Sequence, residues 1–284
     1  MKTVIKNIFF LAAFLLSSGL AFGQQTETVN RLLGVEPDTY FANRDSAYKD
    51  PYYGLRKLVY GNRRFSENKS ISPRQTDADL KNAGLGQKPF ATIIGCADSR
   101  VPNEIIFDQG VGDLFITRTA GQVMAEASYG TIEYATEVLQ TRLIVVLGHQ
   151  SCGAVQAAMK LPENPPGHVV TLINAIKPAS LYAKKHAGAK NPEEELHAAV
   201  RQNVIEQVNL LRGLEPVLSR RFDKGEVLIV GAVYNLESGN VELIEETVTS
   251  LPKYASMSDR GALEAGQPAT ESPAKPTNPT GRGR

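Results

Sequence analysis

Two cysteines and one histidine are the residues whose types and spacing most readily do chemistry in this chain. Cys96 opens the run Cys96-Ala97-Asp98-Ser99-Arg100, and Cys152 lies in Gly148-His149-Gln150-Ser151-Cys152-Gly153; the chain has no other cysteine. Thiolate sulfur and imidazole nitrogen are preferred zinc ligands, and three protein ligands leave the fourth tetrahedral position for water, as a catalytic site requires. Each signal is weak alone: a single His at a strand end is more often a satisfied polar residue, and a His-x-x-Cys spacing justifies little. In an exported chain, two cysteines would otherwise suggest a disulfide. Asp98 and Arg100 add weight. They alternate with Cys96, so in an extended segment all three point to one side and set a carboxylate and a guanidinium beside the metal. There the carboxylate accepts the proton of a bound water or orients it, while the arginine keeps the carboxylate ionised. A surface ion pair between Asp98 and Arg100, worth little to stability, is the alternative. It leaves the neighbouring Cys and His unexplained.

Both metal-binding runs follow short apolar segments. Phe90 to Gly95, Asp113 to Arg118, Arg142 to Gly148 and Val227 to Tyr234 are rich in β-branched residues and nearly unbroken in apolar character. Such strands suit a sheet covered on both faces, which is usually parallel. Helical patterns separate them: Met124 to Gln140 carries Ile132, Ala135, Val138 and Leu139, and Leu196 to Leu211 carries Val200, Val204, Val208 and Leu211 at spacings near three and four. Alternation of strand and helix predicts an α/β fold: a single domain with a mainly parallel four- to five-stranded sheet flanked by helices. Residues just past the carboxyl ends of such strands line the ligand crevice. The first and third strands therefore deliver Cys96, His149 and Cys152 to one sheet edge. Ahead of the sheet, Val29 to Ser66 reads as one or two amphipathic helices with a turn at Pro37-Asp38, the start of an N-terminal helical arm.

The chain ends differ from this centre. Met1-Lys2 and Lys6 precede the apolar run Ile8 to Leu16 and a small-residue exit at Ala21-Phe22-Gly23, the architecture of an export signal cleaved after Gly23. That apolar run is shorter than the ~20 residues of a spanning helix, which argues against an uncleaved membrane anchor. From Ser256 to Arg284 the chain is rich in Pro, Gly, Ser, Thr and Ala and is expected to be a disordered tail. The division is therefore residues 1–23 signal peptide, 24–50 N-terminal arm, 51–255 catalytic domain and 256–284 tail, with a periplasmic or secreted location. The formal net charge is +1 and no dense Lys/Arg block stands out, so neither nucleic acid nor a membrane surface is indicated as a partner.

The stretch Cys96-Ala97-Asp98-Ser99-Arg100-Val101-Pro102, with Arg118-Thr119-Ala120-Gly121, Ile132-Glu133-Tyr134-Ala135 and the run around His149 and Cys152, closely resembles the β-carbonic anhydrases. The resemblance covers about Pro51 to Ile244 and displaces the disulfide. It implies one zinc per chain on Cys96, His149 and Cys152, with Asp98 and Arg100 as a catalytic dyad. It also implies that Asp98 can swing onto the zinc as a fourth ligand, closing the site. The substrate pocket implied is small, apolar and shared across a dimer interface, with Gln87, Phe115, Ala120, Tyr134 and the backbone of Gly153 matching its lining. Of these, Phe115 and Tyr134 read from sequence alone as ordinary core residues. A homodimer or dimer of dimers is expected. Some family members gate the closed site with bicarbonate beside a Trp. This chain has no Trp, and Ile93 stands where it would be expected, so bicarbonate control of that form is not expected here.

The reaction so implied is reversible hydration of carbon dioxide to bicarbonate and a proton. Zinc with two thiolates and a neutral imidazole has no net charge, so its water should be less acidic than at an all-His site and the enzyme should prefer alkaline pH. Zinc-bound hydroxide attacks carbon dioxide, with Asp98 orienting it and Arg100 fixing Asp98. No side chain shows itself as a proton shuttle, since His168, His186 and His197 lie in polar or helical stretches. Two rival readings keep part of the pattern. One retains the site and changes the substrate to another heterocumulene, such as carbon disulfide or carbonyl sulfide. The other is a non-enzymatic exported protein that binds zinc or is stapled by a disulfide.

Overall fold

In the computed structural model, the described residues are 44–160, 164–165 and 167–251. The expected signal peptide, most of the N-terminal arm, the turn at Pro37-Asp38 and the C-terminal tail lie outside them. The described chain runs α1 (Arg44–Lys49), α2 (Pro51–Ser66), α3 (Asp77–Ala83), β1 (Ala91–Cys96), α4 (Asn103–Ile106) and β2 (Leu114–Thr119). A 3-10 turn (Ala120–Gln122) leads into α5 (Glu126–Glu137), β3 (Leu143–His149), α6 (Gly153–Met159), α7 (Val169–His186) and α8 (Pro192–Arg212). The chain continues with α9 (Leu218–Asp223), β4 (Leu228–Tyr234), β5 (Val241–Leu243) and α10 (Glu245–Thr249).

The strands form one sheet in the order β2-β1-β3-β4-β5, parallel except for the short edge strand β5. Every residue of β1, β3 and β4 is buried, as continuous apolar strands covered on both faces require. From β1 the chain moves outward to β2 and then crosses back to place β3 on the other side of β1. The strand order therefore reverses between β1 and β3, where an open α/β sheet leaves its ligand crevice. Ile94 pairs with Val146 and Gly95 with Leu147, which sets the carboxyl ends of the two strands side by side. Cys96 ends β1 and His149 ends β3, so both are the last strand residues rather than the first residues beyond them.

Helix α8 covers one face. Its start is specified by Asn191, whose side chain accepts a hydrogen bond from the Glu194 N–H, by Pro192 at the first position, and by Glu193, Glu194 and Glu195 in the first turn, all favourable at a helix N-terminus. The expected apolar stripe Val200, Val204, Val208 and Leu211 is buried, and Asn203 and Gln207 are buried on the same face. Val204 lies in a trough made by two sheet glycines: a Cβ built on Gly148 or Gly231 would meet its methyl groups at 2.6 or 2.7 Å. The expected helix at Met124 to Gln140 is the shorter α5. Ile132 and Ala135 face inward, while Val138 lies past the helix end and is exposed.

On the other side α2 carries Leu55 and Leu58 into the core. Its buried Asn62 donates to the carbonyls of Ile106 (3.1 Å) and Gly239 (2.8 Å) and accepts from the Val241 N–H (2.7 Å). One side chain thus ties α2 to α4 and to the edge strand. Among the described residues no helix is long and apolar enough to cross a membrane.

Candidate metal centre

The ligand atoms of Cys96, His149 and Cys152 all lie within 4.8 Å of one another, and all three residues are buried. Neither cysteine is in a disulfide, which speaks against the stapled alternative. Strand ends β1 and β3 supply Cys96 and His149. The turn after β3 brings Cys152 round to the cap of α6, helped by Ser151 at φ 52°.

The donor set fits a metal cation. The carbonyl of Gln150 can only accept a hydrogen bond, so its contact with His149 Nδ1 at 2.8 Å assigns the ring proton to Nδ1 and leaves Nε2 with a free lone pair. That Nε2 is buried and has no hydrogen-bond partner, a costly state for a polar atom unless something else binds it. The two sulfurs point the same way. The Cys96 thiol is pushed down, first by its hydrogen bond with Cys152, against burial, and with further help from His149 and the backbone N–H groups of Asp98 and Gly121. The Cys152 thiol is pushed up by that same bond, by burial and by repulsion from Cys96. Two adjacent buried sulfurs share one proton in this way, and both ionise only with a positive charge between them.

Asp98 and Arg100 do not continue the strand. β1 ends at Cys96, and the next residues form a turn closed by the Val101 N–H on the Asp98 carbonyl at 3.1 Å. Extended alternation is therefore not what brings the pair together. Arg100 donates from Nε to Asp98 Oδ1 at 2.9 Å and from Nη2 to Oδ2 at 2.8 Å, and its backbone N–H donates to Oδ1 at 2.9 Å. The guanidinium hydrogen bonds, followed by the backbone one, hold the Asp98 carboxyl well below the usual carboxylate range despite partial burial. Asp98 Oδ2 reaches to 3.8 Å from His149 Nε2, so the carboxylate stands beside the three-ligand cluster rather than in it.

The expected pocket residues are placed unequally. Phe115 on β2 and Tyr134 on α5 face each other with ring centroids 6.2 Å apart, and Tyr134 is 46% exposed, so neither is an ordinary core residue. Ala120 is half-buried in the 3-10 turn, and Gly153 opens α6 with nothing within 4 Å of where a Cβ would stand. Gln87 is not brought to this cluster: it lines an exposed cleft with Arg44, Arg74, Lys88 and Gly112. His168, His186 and His197 are exposed.

Two contacts at the site are not legible in the sequence. Arg118 donates from Nε to the Cys96 carbonyl at 2.9 Å and from Nη2 to the Asp98 carbonyl at 2.6 Å, fixing the turn between ligand and carboxylate. The Gly121 N–H donates to Cys96 Sγ at 3.3 Å, and the Gly121 carbonyl accepts from Asn203 Nδ2 at 3.0 Å. The one signal for Asn203 is an amide standing on the apolar stripe of α8.

A sequence profile of the family described as "Carbonic anhydrase" matches residues 91–241. A protein of Mycobacterium tuberculosis described as "Carbonic anhydrase 2" is 40% identical over 197 residues, covering 68% of this chain and 93% of its own length. Among solved structures, the β-carbonic anhydrase CcaA superposes with a TM-score of 0.56 at 26% identity, covering 70% of this chain and 98% of its own. A structure from a study of two tetrameric β-carbonic anhydrases of Sordaria macrospora shares the fold, with a TM-score of 0.54 at 21% identity over 67% of this chain and 96% of its own.

Proposed function

This chain belongs to the β-carbonic anhydrase family, and from that premise we propose that Cys96, His149 and Cys152 hold one zinc ion at which Asp98 and Arg100 assist reversible hydration of carbon dioxide. The carrying observation is the buried cluster of two free thiols and an imidazole with an unpartnered Nε2. Zinc held there supplies a Lewis acid that makes water nucleophilic near neutral pH.

The chain's own groups do the rest. Asp98, kept ionised by Arg100, offers a hydrogen-bond acceptor beside the ligand cluster, which orients the attacking water with a lone pair toward carbon dioxide. Arg100 holds both carboxylate oxygens, so it opposes the movement of Asp98 onto the metal that would close the site. Arg118 fixes the backbone on both sides of Ala97, which keeps carboxylate and ligand in register. Phe115 and Tyr134, with Ala120, offer an apolar wall suited to an uncharged, weakly hydrated substrate. The Gly153 backbone and Gln87 complete the lining in this reading, with Gln87 coming from a partner subunit. Its placement away from its own chain's cluster supports that role, as does the tetrameric state named for the Sordaria macrospora enzymes. Export follows from the signal-like first 23 residues.

Stopped-flow carbon dioxide hydration by the purified, signal-free protein, with zinc analysis on the same sample, tests metal, site and substrate together. Zinc-loaded protein that fails to accelerate hydration overturns the assignment.

A further inference from the structure

Helix α8 reaches the metal centre through a single polar side chain. Asn203 is fully buried on a face it shares with the apolar Val200, Val204, Val208 and Leu211 and with a second amide, Gln207, where an amide costs free energy unless its hydrogen bonds are met. Its Nδ2 donates to the Gly121 carbonyl at 3.0 Å, while its Oδ1 has no hydrogen-bond partner. Because a backbone carbonyl only accepts, the amide orientation is fixed by this bond. Packing alone is served better by an apolar side chain of the same size.

Gly121 is what the amide grips. It sits at φ +66°, and a Cβ there would lie 2.6 Å from Ile176 Cδ1 and 3.1 Å from Ala154 Cβ. This conformation aims its N–H at Cys96 Sγ, 3.3 Å away. The residue is thus held from both sides, with Asn203 on its carbonyl and Cys96 on its amide. A hydrogen bond from an amide to a thiolate withdraws electron density from sulfur and fixes its direction, and groups of this kind around a ligand tune the metal it binds.

We infer that Asn203 is a positioning residue for the metal thiolate of Cys96, acting through Gly121 to hold the N–H···S hydrogen bond that sets how strongly this sulfur donates to the metal. The inference rests on Cys96 being a metal ligand. It adds to that reading a contact made from a different layer of the fold.

Cobalt(II)-loaded protein reports on it, since the sulfur-to-cobalt charge-transfer absorption depends on the electron density at sulfur. In Asn203→Leu the band is expected to move to longer wavelength while cobalt stays bound at the wild-type stoichiometry, and zinc affinity by chelator competition is expected to fall about 10-fold. Gly121→Ala, which displaces the same N–H directly, is expected to move the band in the same direction and serves if Asn203→Leu fails to fold. Val208→Ala loses apolar packing on the same helix, against Gly231 and away from the ligands. It should lower thermal stability and leave the band in place. An unmoved band in Asn203→Leu, or in Gly121→Ala if that is the variant that folds, overturns the inference, as does an equal shift in Val208→Ala. Wild-type protein without a sulfur-to-cobalt band overturns the metal assignment itself, a result distinct from either of these.

Discussion

Asp98 Oδ2 stands 3.8 Å from His149 Nε2 while the same carboxylate is gripped by Nε and Nη2 of Arg100, one donor to each oxygen. The carboxylate is close enough to act on anything bound at the imidazole, yet it is not needed to bind it. Asp98→Asn and Arg100→Ala should therefore both retain zinc and lose most hydration activity, on the order of 10–100-fold. The amide introduced by Asp98→Asn would present a donor where an acceptor is needed, so the aspartate substitution should cost more. Metal analysis and stopped-flow rates on the same preparations check this, and loss of zinc from either variant would contradict it.

Metal content gives a second test. The mature protein should carry about one zinc per chain with both thiols outside any disulfide, because thiolates committed to zinc cannot be cross-linked. Cys96→Ser and Cys152→Ser should each lose metal and activity together. Intact-mass measurement that found a Cys96 to Cys152 disulfide in active material would refute the assignment.

The acid limb of the activity profile should not be the titration of Asp98. Its carboxyl is depressed in the folded protein by the Arg100 hydrogen bonds first. The carboxylate therefore stays ionised through the ordinary carboxylate range, and any stability this pair adds is present above that range and lost only as the solution becomes more acidic still. Activity should fall reversibly as pH drops toward neutrality and below, with zinc content constant, as water at the metal keeps its proton. Rates that fell in step with zinc loss would mean that the ligands are titrating instead.

If the first 23 residues act as the proposed export signal, Gln24 should be the first residue of a mature chain found outside the cytoplasm. N-terminal sequencing of protein from its native host should read from that position. A chain beginning at Met1 in the cytosol would show the export assignment to be wrong.

Asn62 offers a test of the scaffold apart from the chemistry. Asn62→Leu removes two donations and one acceptance and should cost on the order of 3 kcal/mol, since buried groups left unpaired cost about 1–3 kcal/mol each. Chemical denaturation of the zinc-loaded protein measures this. An unchanged midpoint would mean that the backbone groups find other partners.

The centre of the fold is legible because its strands carry a strong signal. Residues such as Ile93, Ile94, Val145 and Val146 are apolar without alternation, and only a doubly covered sheet accommodates them. The strand ends read a residue short at Cys96 and His149, since a polar or reactive side chain looks like loop when read along the chain. The pairing of Asp98 with Arg100 is predictable, but for a reason that fails: alternation in an extended segment predicts it, whereas a turn produces it. Arg118 and Asn203 escape because their work is done on backbone carbonyls, which no local pattern of side chains marks. Gln87 can be tied to the site only by resemblance, as its own chain places it in another cleft.

The switch point between β1 and β3 also fixes when the metal site can exist during folding. Its ligands come from strands distant along the chain, joined only by parallel pairing that no hairpin can nucleate. A partly folded chain with β1 and β3 apart has no preformed set of donors, so zinc cannot seed this fold as it does in small zinc-dependent domains. With the proposed ligands, capture would wait for the two central strands to meet, after which a bound ion would clamp the sheet at the place where its halves diverge. Zinc should therefore slow unfolding far more than it speeds folding.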